Sequence, residues 1–156
     1  MPATPATRAL RAAKITYTEH VYDHDPAVTD YGQEAATALG VSPDRVFKTL
    51  IVESESGLAV VIVPVAAMMD LKSVAATLEV KKVSLAAATD AQRSSGYVVG
   101  GISPFGQRRQ LPTVLDQSAT GHASILVSGG RRGFDIEVDP QDLVGLLDAV
   151  VAPVAR

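Results

Sequence analysis

The chain has 156 residues, of which 47% are hydrophobic and 20% charged, so we expect one globular domain with its own core over residues 1–156. It contains no cysteine, which excludes disulfide bonds, zinc–thiolate sites and a thiol nucleophile supplied by the protein. The net charge of −3 disfavours DNA binding, and no apolar run reaches the roughly 18 residues that a membrane span needs. We therefore expect a cytoplasmic protein that binds neither DNA nor a membrane.

The charge is unevenly distributed along the chain. Between residues 91 and 134 the only acid is Asp116, whereas five arginines occur there: Arg93, Arg108, Arg109, Arg131 and Arg132. A local excess of basic residues is typical of a face that binds phosphates, and it is also typical of a solvated surface. The sequence alone leaves both interpretations open.

The first half of the chain predicts two helices, a strand and a hairpin. Helical spacing covers residues 4–13, and the alternation in ITYTEHVY predicts a strand over 15–22. A second helix begins after Asp30 as N-cap and ends at Gly40. The β-branched runs RVFKTLIVE and LAVVIVPV, separated by the turn SESG, predict two central strands joined as a hairpin.

The second half predicts three more helices and three strands. One helix is expected in DLKSVAATLEV and another in TDAQRSSG, the latter with a capping box formed by Thr89 and Gln92. The runs LPTVLD, SILVSGG and FDIEV predict strands, and a helix beginning at Asp139 closes the chain. This order predicts an α+β fold with a curved mixed β-sheet or barrel of six to seven strands, flanked by helices.

Lys48 is unusual because its neighbours in RVFKTLIV are apolar on both sides. Strand alternation places its side chain on the same face as Val46 and Leu50. Burying an ammonium group without a partner costs several kcal/mol of free energy, because the ion loses its hydration. Lys48 is therefore expected at an edge strand, extended towards solvent, or at the wall of a pocket that receives an anion or a polarised carbonyl.

The segment GGISPFG, residues 100–106, is rich in glycine and contains one proline. Glycine lets the main chain approach a ligand closely, and Pro104 restricts the backbone around it. Exposed N–H groups in such a segment can hold a carbonyl oxygen or a phosphate. A purely structural loop fits the same pattern, and the spacing matches neither a Walker loop nor a dinucleotide-binding fingerprint.

Two further patterns contain residue types that occur in catalytic or metal-binding sites. In SGGRRGFDIEV a glycine-rich turn precedes Asp135, which can pair with a cation; a hairpin turn with a solvated acid fits as well. His20 and His24 flank acids in HVYDHD, but a four-residue spacing that leaves a strand does not converge two imidazoles on a metal. No nucleophile-elbow motif for a Ser-His-Asp site is present.

Taken together, YDHDP, RVFKTLIV, KKV, SGYVVGGISPFGQ and VSGGRRGFDIEV resemble, in order and spacing, the YbaK/EbsC family of aminoacyl-tRNA deacylases. That family is related to the editing domain of bacterial prolyl-tRNA synthetases, and the likeness runs from about residue 8 to 150. It implies a hydrolase of translational editing that acts in trans on misacylated proline tRNA, recruited by prolyl-tRNA synthetase. Within the family, the subgroup that removes cysteine from proline tRNA is the most similar.

The resemblance also implies roles for individual residues. Lys48 corresponds to the lysine that holds the terminal ribose and ester, and the N–H groups of Gly100 and Gly101 would contact the scissile carbonyl. The residues expected to line the aminoacyl pocket, with Asp135 suited to the α-ammonium group, are Tyr22, Tyr31, Ser128, Gly129 and Asp135. No cofactor, metal or covalent protein nucleophile is implied, because in this reaction the substrate's own thiol attacks its ester and leaves as a thiolactone.

Two alternatives remain open. One methylene or thiol in a pocket is worth only about 1–3 kcal/mol, so alanine could be the amino acid removed in place of cysteine. A non-catalytic module that binds a tRNA end or a nucleotide through the same cleft is the other alternative.

Overall fold

The computed structural model describes residues 3–156, which form five α-helices, eight β-strands and one short 3₁₀ helix. The helices are α1 (Pro5–Ala12), α2 (Tyr31–Leu39), α3 (Leu71–Leu78), α4 (Ala88–Ser95) and α5 (Pro140–Leu147), and the 3₁₀ helix is Gln117–Gly121. The strands are β1 (Thr18–Val21), β2 (Phe47–Ser54), β3 (Gly57–Pro64), β4 (Ser84–Leu85), β5 (Thr113–Asp116), β6 (Ile125–Arg131), β7 (Phe134–Val138) and β8 (Val150–Ala152). None of these helices has the length and apolar character that crossing a membrane requires.

The strands belong to two sheets. A mixed five-stranded sheet has the order β4-β2-β3-β5-β8, and an antiparallel three-stranded sheet has the order β1-β7-β6. The α+β prediction is confirmed, and the sheet does not close into a barrel. The described residues contain eight strands rather than six or seven, because β4 and β8 have only two and three residues and show no readable alternation.

Several predicted helix boundaries are confirmed. The Asp30 carboxylate accepts a hydrogen bond from the Gln33 N–H at 3.3 Å, and Gly40 ends α2 in the left-handed conformation. Asp139 caps α5, with Pro140 in its first turn. These signals are reliable because each depends on main-chain groups within four residues of the cap.

Two predicted boundaries are wrong. Helix α4 begins after Ala87 with no side-chain cap, so Thr89 does not form the predicted capping box. The Gln92 side chain instead accepts a hydrogen bond from the Val99 N–H at 3.0 Å, which joins α4 to the glycine-rich segment. The chain also does not close on a helix, because α5 ends at Leu147 and β8 follows.

The hairpin β2–β3 separates two hydrophobic clusters, as its alternation predicts. Phe47 and Ile51 face the larger cluster, whereas Val52 belongs to a second cluster against α3. The register pairs Lys48 with Val63, a member of that second cluster. Lys48 is therefore attached to the open end of the hairpin, opposite a buried residue.

One side of β2 is only partly paired. The strand bonds to β3 along its whole length, but on its other side it pairs with β4 only at Val52 and Glu53. A bridge between Val46 and Leu126 joins the two sheets just before β2 begins, and the Ala86 N–H donates to the Ile51 carbonyl. Residues 47–50 are thus left with an open strand edge.

The C-terminal segment depends on one buried acid. Asp116 is 4% exposed, and its carboxylate accepts hydrogen bonds from the main-chain N–H groups of Val154 at 2.9 Å and Ala155 at 3.1 Å. Charge-assisted hydrogen bonds of this kind each contribute about 1.5–3 kcal/mol. The carboxylate therefore fixes the chain end beside β5.

Replacing this acid tests the assignment. Asp116→Ala should lower the free energy of unfolding by about 3 kcal/mol or more, because a buried and a partly buried N–H group lose their acceptor. The exposed Asp142 offers a matched control, and Asp142→Ala should change stability by less than about 0.5 kcal/mol. Urea unfolding monitored by circular dichroism gives both values, and equal effects of the two substitutions would contradict the assignment.

Candidate active site

A cavity of about 400 Å³ lies along the open edge of β2. Its walls come from the first half of β2, the start of α2, the segment after α4 and the facing strands β6 and β7. Most of the lining is apolar, with small side chains among them: Ala35, Val46, Phe47, Leu50, Ile51, Leu85, Ala86, Ala88, Ala91, Val99 and Ile102. The cavity exists because the strands of the two sheets separate after the Val46 bridge.

Six of the eight predicted site residues line this one cavity: Tyr22, Tyr31, Lys48, Gly100, Ser128 and Asp135. Gly101 and Gly129 are not among its lining residues. A Cβ atom at Gly129 would lie 2.5 Å from the Phe134 ring, so Gly129 permits close packing within the hairpin rather than contact with a ligand. Lys48 and the segment after Val99 therefore share a cavity.

Lys48 is partly buried at the cavity wall. Within residues 3–156, no carboxylate lies within 4.0 Å of its ammonium group. Two of the environments predicted for Lys48 occur together. The lysine lies at a pocket wall, and the part of β2 that carries it has an open strand edge. Its positive charge is available to a ligand.

Asp135 is the most deeply buried acid of the cavity. It is 6% exposed and lies opposite Ser128 in the β6–β7 ladder. Its carboxyl group accepts no hydrogen bond from residues 3–156, and burial raises its pKa to about 7. A cation that entered the cavity would restore the charged form, because a nearby opposite charge offsets desolvation.

Tyr22 stays protonated at physiological pH. Burial raises the pKa of its phenol, and the negative charges of Asp135 and Glu34 raise it further. Tyr22 lines the cavity, so its protonated hydroxyl can donate a hydrogen bond to a ligand there. Tyr22 and Asp135 together favour a ligand that offers both a positive charge and an acceptor oxygen.

The glycine segment begins with a tight turn over residues 98–101. The Gly101 N–H donates to the Val98 carbonyl at 2.9 Å, and Gly100 has φ of +88° in the third position, where a type II turn requires glycine. The expectation of two free amides is corrected here, since the turn occupies the Gly101 N–H. Of the two glycines, Gly100 keeps an N–H without an acceptor among residues 3–156.

Gly101 has a packing role. A Cβ atom there would lie 2.7 Å from the Arg131 Cα, so the main chains of the glycine segment and the β6–β7 turn touch. The sequence did not predict this contact, because the main-chain partner of Gly101 is distant in sequence.

Tyr31 is held in place from several sides. A Cβ atom at Gly100 would lie 2.8 Å from its ring, so the ring rests on bare main chain. The Arg132 guanidinium lies 4.8 Å from the ring centroid, and its Nε donates to the Val99 carbonyl at 2.9 Å. On another side, the His24 ring lies 5.7 Å away.

Sequence reasoning missed the roles of His24 and Arg132. The sequence pattern suggests only a possible metal ligand at His24 and only a basic segment around Arg132. His24 Nδ1 lies 2.7 Å from Glu34 Oε1, and His20 Nε2 lies 2.9 Å from Glu137 Oε1. In the part of the chain that the structure describes, no three His, Asp or Glu side chains come together as a metal site would require.

Thr49 is a further residue that the pattern did not reveal. It lines the cavity, and its hydroxyl is buried with no hydrogen-bond partner among residues 3–156. A buried unpaired hydroxyl costs about 1–3 kcal/mol. Alternation placed Thr49 on the face opposite Lys48, and at an open strand edge both faces border the same cavity.

The cavity therefore combines an ammonium group, a buried carboxyl, a phenol donor and a main-chain amide in largely apolar surroundings. In such a low-dielectric site, fixed charges and donors act more strongly than in water. The arrangement suits a small zwitterionic or cationic group attached to a polar ester or phosphate-bearing body.

Comparison with known proteins shows the family of the chain. The family model described as "Aminoacyl-tRNA editing domain" matches residues 25–146. A protein of Enterococcus faecalis named "Putative Cys-tRNA(Pro)/Cys-tRNA(Cys) deacylase EbsC" is 33% identical, with 97% of this chain and 92% of that protein covered.

Solved structures share the fold. The hypothetical protein APE2540 superposes with a TM-score of 0.89 at 28% identity, covering 98% of this chain and 100% of that one. A structure titled "Crystal structure of a putative trans-editing enzyme for prolyl tRNA synthetase" has a TM-score of 0.84 at 24% identity, covering 100% and 99%. The second likeness, at that identity, concerns the fold alone.

The chain belongs to the aminoacyl-tRNA editing domain family, and the resemblance to the YbaK/EbsC proteins is confirmed. Its class of activity is that of an aminoacyl-tRNA deacylase. The matched range contains Tyr31, Lys48, Gly100, Ser128 and Asp135, whereas Tyr22 precedes it.

The raised pKa of Asp135 predicts a pH-dependent stability. An unfolded aspartate has a pKa near 3.9, so the folded state binds a proton more tightly, and stability falls as pH rises from about 4 to about 7. Asp135→Asn imitates the neutral form. The wild type should lose this contribution as pH rises, and the variant should not. The free energy of unfolding of the variant minus that of the wild type should therefore be about 2–3 kcal/mol larger at pH 8 than at pH 5, measured by urea unfolding at both pH values. A stability difference that is the same at pH 5 and pH 8 would refute the raised pKa.

Proposed function

We propose that this protein is a cytoplasmic deacylase that acts in trans on misacylated proline tRNA and removes cysteine. One observation carries the proposal: a lysine without a counter-ion and a buried carboxyl without a donor, Lys48 and Asp135, line the same cavity. An aminoacyl ester offers the complementary groups, since it has an α-ammonium at one end and a ribose with its phosphate at the other. The name of the Enterococcus faecalis relative supports cysteine as the amino acid.

Binding follows from the charges. The α-ammonium group of the ester pairs with Asp135, which lowers the pKa of that carboxyl and offsets the cost of its burial. The Lys48 ammonium then holds the ribose and ester oxygens, and the Tyr22 hydroxyl donates to the bound group. The Gly100 N–H, which has no acceptor among residues 3–156, is a main-chain donor that can reach the carbonyl oxygen.

The release step uses the thiol of the substrate. The thiol loses its proton and its sulfur attacks the ester carbonyl carbon; the bond from that carbon to the ribose oxygen breaks, and the ribose hydroxyl regains a proton. The products are a cyclic thiolactone and deacylated tRNA, so no water enters this step. The contribution of the protein is orientation, which can be worth roughly 7–11 kcal/mol in favourable cases.

The thiol of the substrate makes an attacking water unnecessary, whereas removal of alanine would need one. The Gly101 N–H donates to the Val98 carbonyl, so it does not serve as an oxyanion donor in this proposal. Each donor that does reach the oxyanion is worth about 3–4 kcal/mol. A non-catalytic module would need no such donor.

The role of Lys48 gives the first test of function. Lys48→Ala should lower kcat/KM for Cys-tRNA(Pro) by about 10²- to 10³-fold, because the ester loses its only lysine contact in the cavity. Stability should change by less than about 1 kcal/mol, since the ammonium makes no ion pair within residues 3–156.

The control is Lys72, an exposed lysine on α3, a helix whose buried face packs into the second cluster rather than the cavity. Lys72→Ala should leave deacylation unchanged. Equal deacylation rates for wild type and Lys48→Ala would show that Lys48 is not a functional residue of the site. Slow release by wild type and both variants would contradict the proposal that the protein deacylates this tRNA.

The amino acid and mechanism are tested with proline tRNA charged with cysteine, 2-aminobutyrate, alanine or proline. Release of cysteine should exceed release of 2-aminobutyrate by about 10²-fold or more, because 2-aminobutyrate carries a methyl group in place of the attacking thiol and has nearly the same size. Mass spectrometry of the quenched reaction should detect the thiolactone. Comparable release of cysteine and 2-aminobutyrate would establish a water-dependent mechanism instead, and faster release of alanine would make alanine the substrate.

Partner recruitment is tested separately. We propose that prolyl-tRNA synthetase brings the charged tRNA to this protein, since the chain's own net charge of −3 gives little general attraction for RNA. Adding the synthetase should lower the apparent KM for charged tRNA without changing kcat.

A further inference from the structure

Arg132 is fixed at the mouth of the cavity by two contacts. Its Nε donates to the Val99 carbonyl at 2.9 Å, and its guanidinium lies 4.8 Å from the Tyr31 ring centroid. Both partners line the cavity, whereas Arg132 itself is exposed. The guanidinium therefore stands where the cavity opens to solvent.

The charge of Arg132 is not neutralised by the protein. Within residues 3–156, the arginines paired with carboxylates are Arg11 and Arg45, and no acid lies within 4.0 Å of Arg132. Of the five guanidinium N–H groups, the one on Nε has an acceptor among these residues. The remaining donors are available to an anion.

Other positive charges flank the same segment. Arg131 is the last residue of β6 and directly precedes Arg132, and its main chain touches Gly101. At the other end, a Cβ atom at Gly96 would lie 3.6 Å from the Arg108 Cβ. Residues 96–101 thus run between arginines, and the whole of 91–134 contains a single acid.

A pre-positioned guanidinium suits a phosphate better than a water-exposed lysine does. Its planar donors match two phosphate oxygens at once, and its two anchors have already restricted the side chain, so less conformational entropy is lost on binding. If Asp135 and Lys48 hold the aminoacyl ester inside the cavity, the 5′-phosphate of the terminal nucleotide is the nearest anion outside it.

We propose that Arg132 binds the phosphate that joins the terminal nucleotide of the charged tRNA to the rest of the acceptor strand. This inference rests on the proposed function and deepens it. Through the shared contact with Val99 and Tyr31, the bound phosphate sets how far the ester enters the cavity. Arg132 is then a binding residue for the nucleic acid and not only a support for Tyr31.

The test uses two small substrates that differ in one group: 3′-O-cysteinyl adenosine with and without a 5′-phosphate. For the phosphorylated ester, Arg132→Gln should lower kcat/KM by about 10- to 100-fold, the usual value of a charge-assisted contact. For the ester without phosphate, the loss should be at least about fivefold smaller. Arg131→Gln removes the same charge from the same turn without the Val99 contact, and should affect the two esters equally.

Each outcome decides the question. Equal losses for both esters with Arg132→Gln would show that the residue acts only by positioning Tyr31, and would overturn the inference while the deacylase proposal stands. If Arg131→Gln also lowered kcat/KM more for the phosphorylated ester than for the ester without phosphate, the effect would come from general electrostatic attraction rather than from a specific Arg132 contact. That result would also overturn the inference. If wild type cleaves charged tRNA but neither small ester, the same comparison is made on an acceptor minihelix with a neutral methylphosphonate at that linkage. Failure of wild type to cleave charged tRNA at all would instead end the proposed function.

Discussion

Strand β2 bonds to β3 along its whole length but leaves residues 47–50 unpaired on its other side, and the cavity occupies that open edge. Two contacts limit the opening, the Val46 bridge to β6 before it and the Ala86 hydrogen bond to Ile51 after it. An unpaired edge is normally a hazard, because it invites another strand. Here the walls of the cavity enclose it, so the edge is available for function without being presented to other chains.

The charges of the cavity are arranged for a ligand rather than for stability. A lysine and an aspartate in one cavity could form an ion pair, yet the Lys48 ammonium lies within 4.0 Å of no carboxylate in residues 3–156. The cost is visible at Asp135, whose pKa rises to about 7 because nothing compensates its burial. Elsewhere the protein satisfies such groups, as the Asp116 carboxylate does with two main-chain amides. A perturbed, unpaired acid in a cavity is characteristic of a functional site.

The sequence predicted those features that depend on neighbours in the chain. The Asp30 cap, the Gly40 helix end and the hairpin β2–β3 are set by residues only a few positions apart. Lys48 was identified because an ammonium among β-branched residues conflicts with burial. The resemblance to a known family then placed Asp135 and Tyr31 at the same site, which residue spacing alone did not do.

The features that the sequence did not predict depend on contacts between distant segments. The Gly101 amide was expected to be free, and the turn that occupies it is visible only in the backbone geometry of residues 98–101. Nothing in the pattern around Arg132 indicates the Val99 carbonyl or the Tyr31 ring as its partners. Strands β4 and β8 were missed because two or three residues show no period.

The contact between Gly101 and Arg131 is made by main-chain atoms on the Arg131 side, with no side chain between them. A substitution at Gly101 would therefore have to displace a backbone segment, whereas substitution of small wall residues such as Ala86 and Ala91 changes only the space inside the cavity. The wall consequently tolerates evolutionary change in its shape more readily than this junction does.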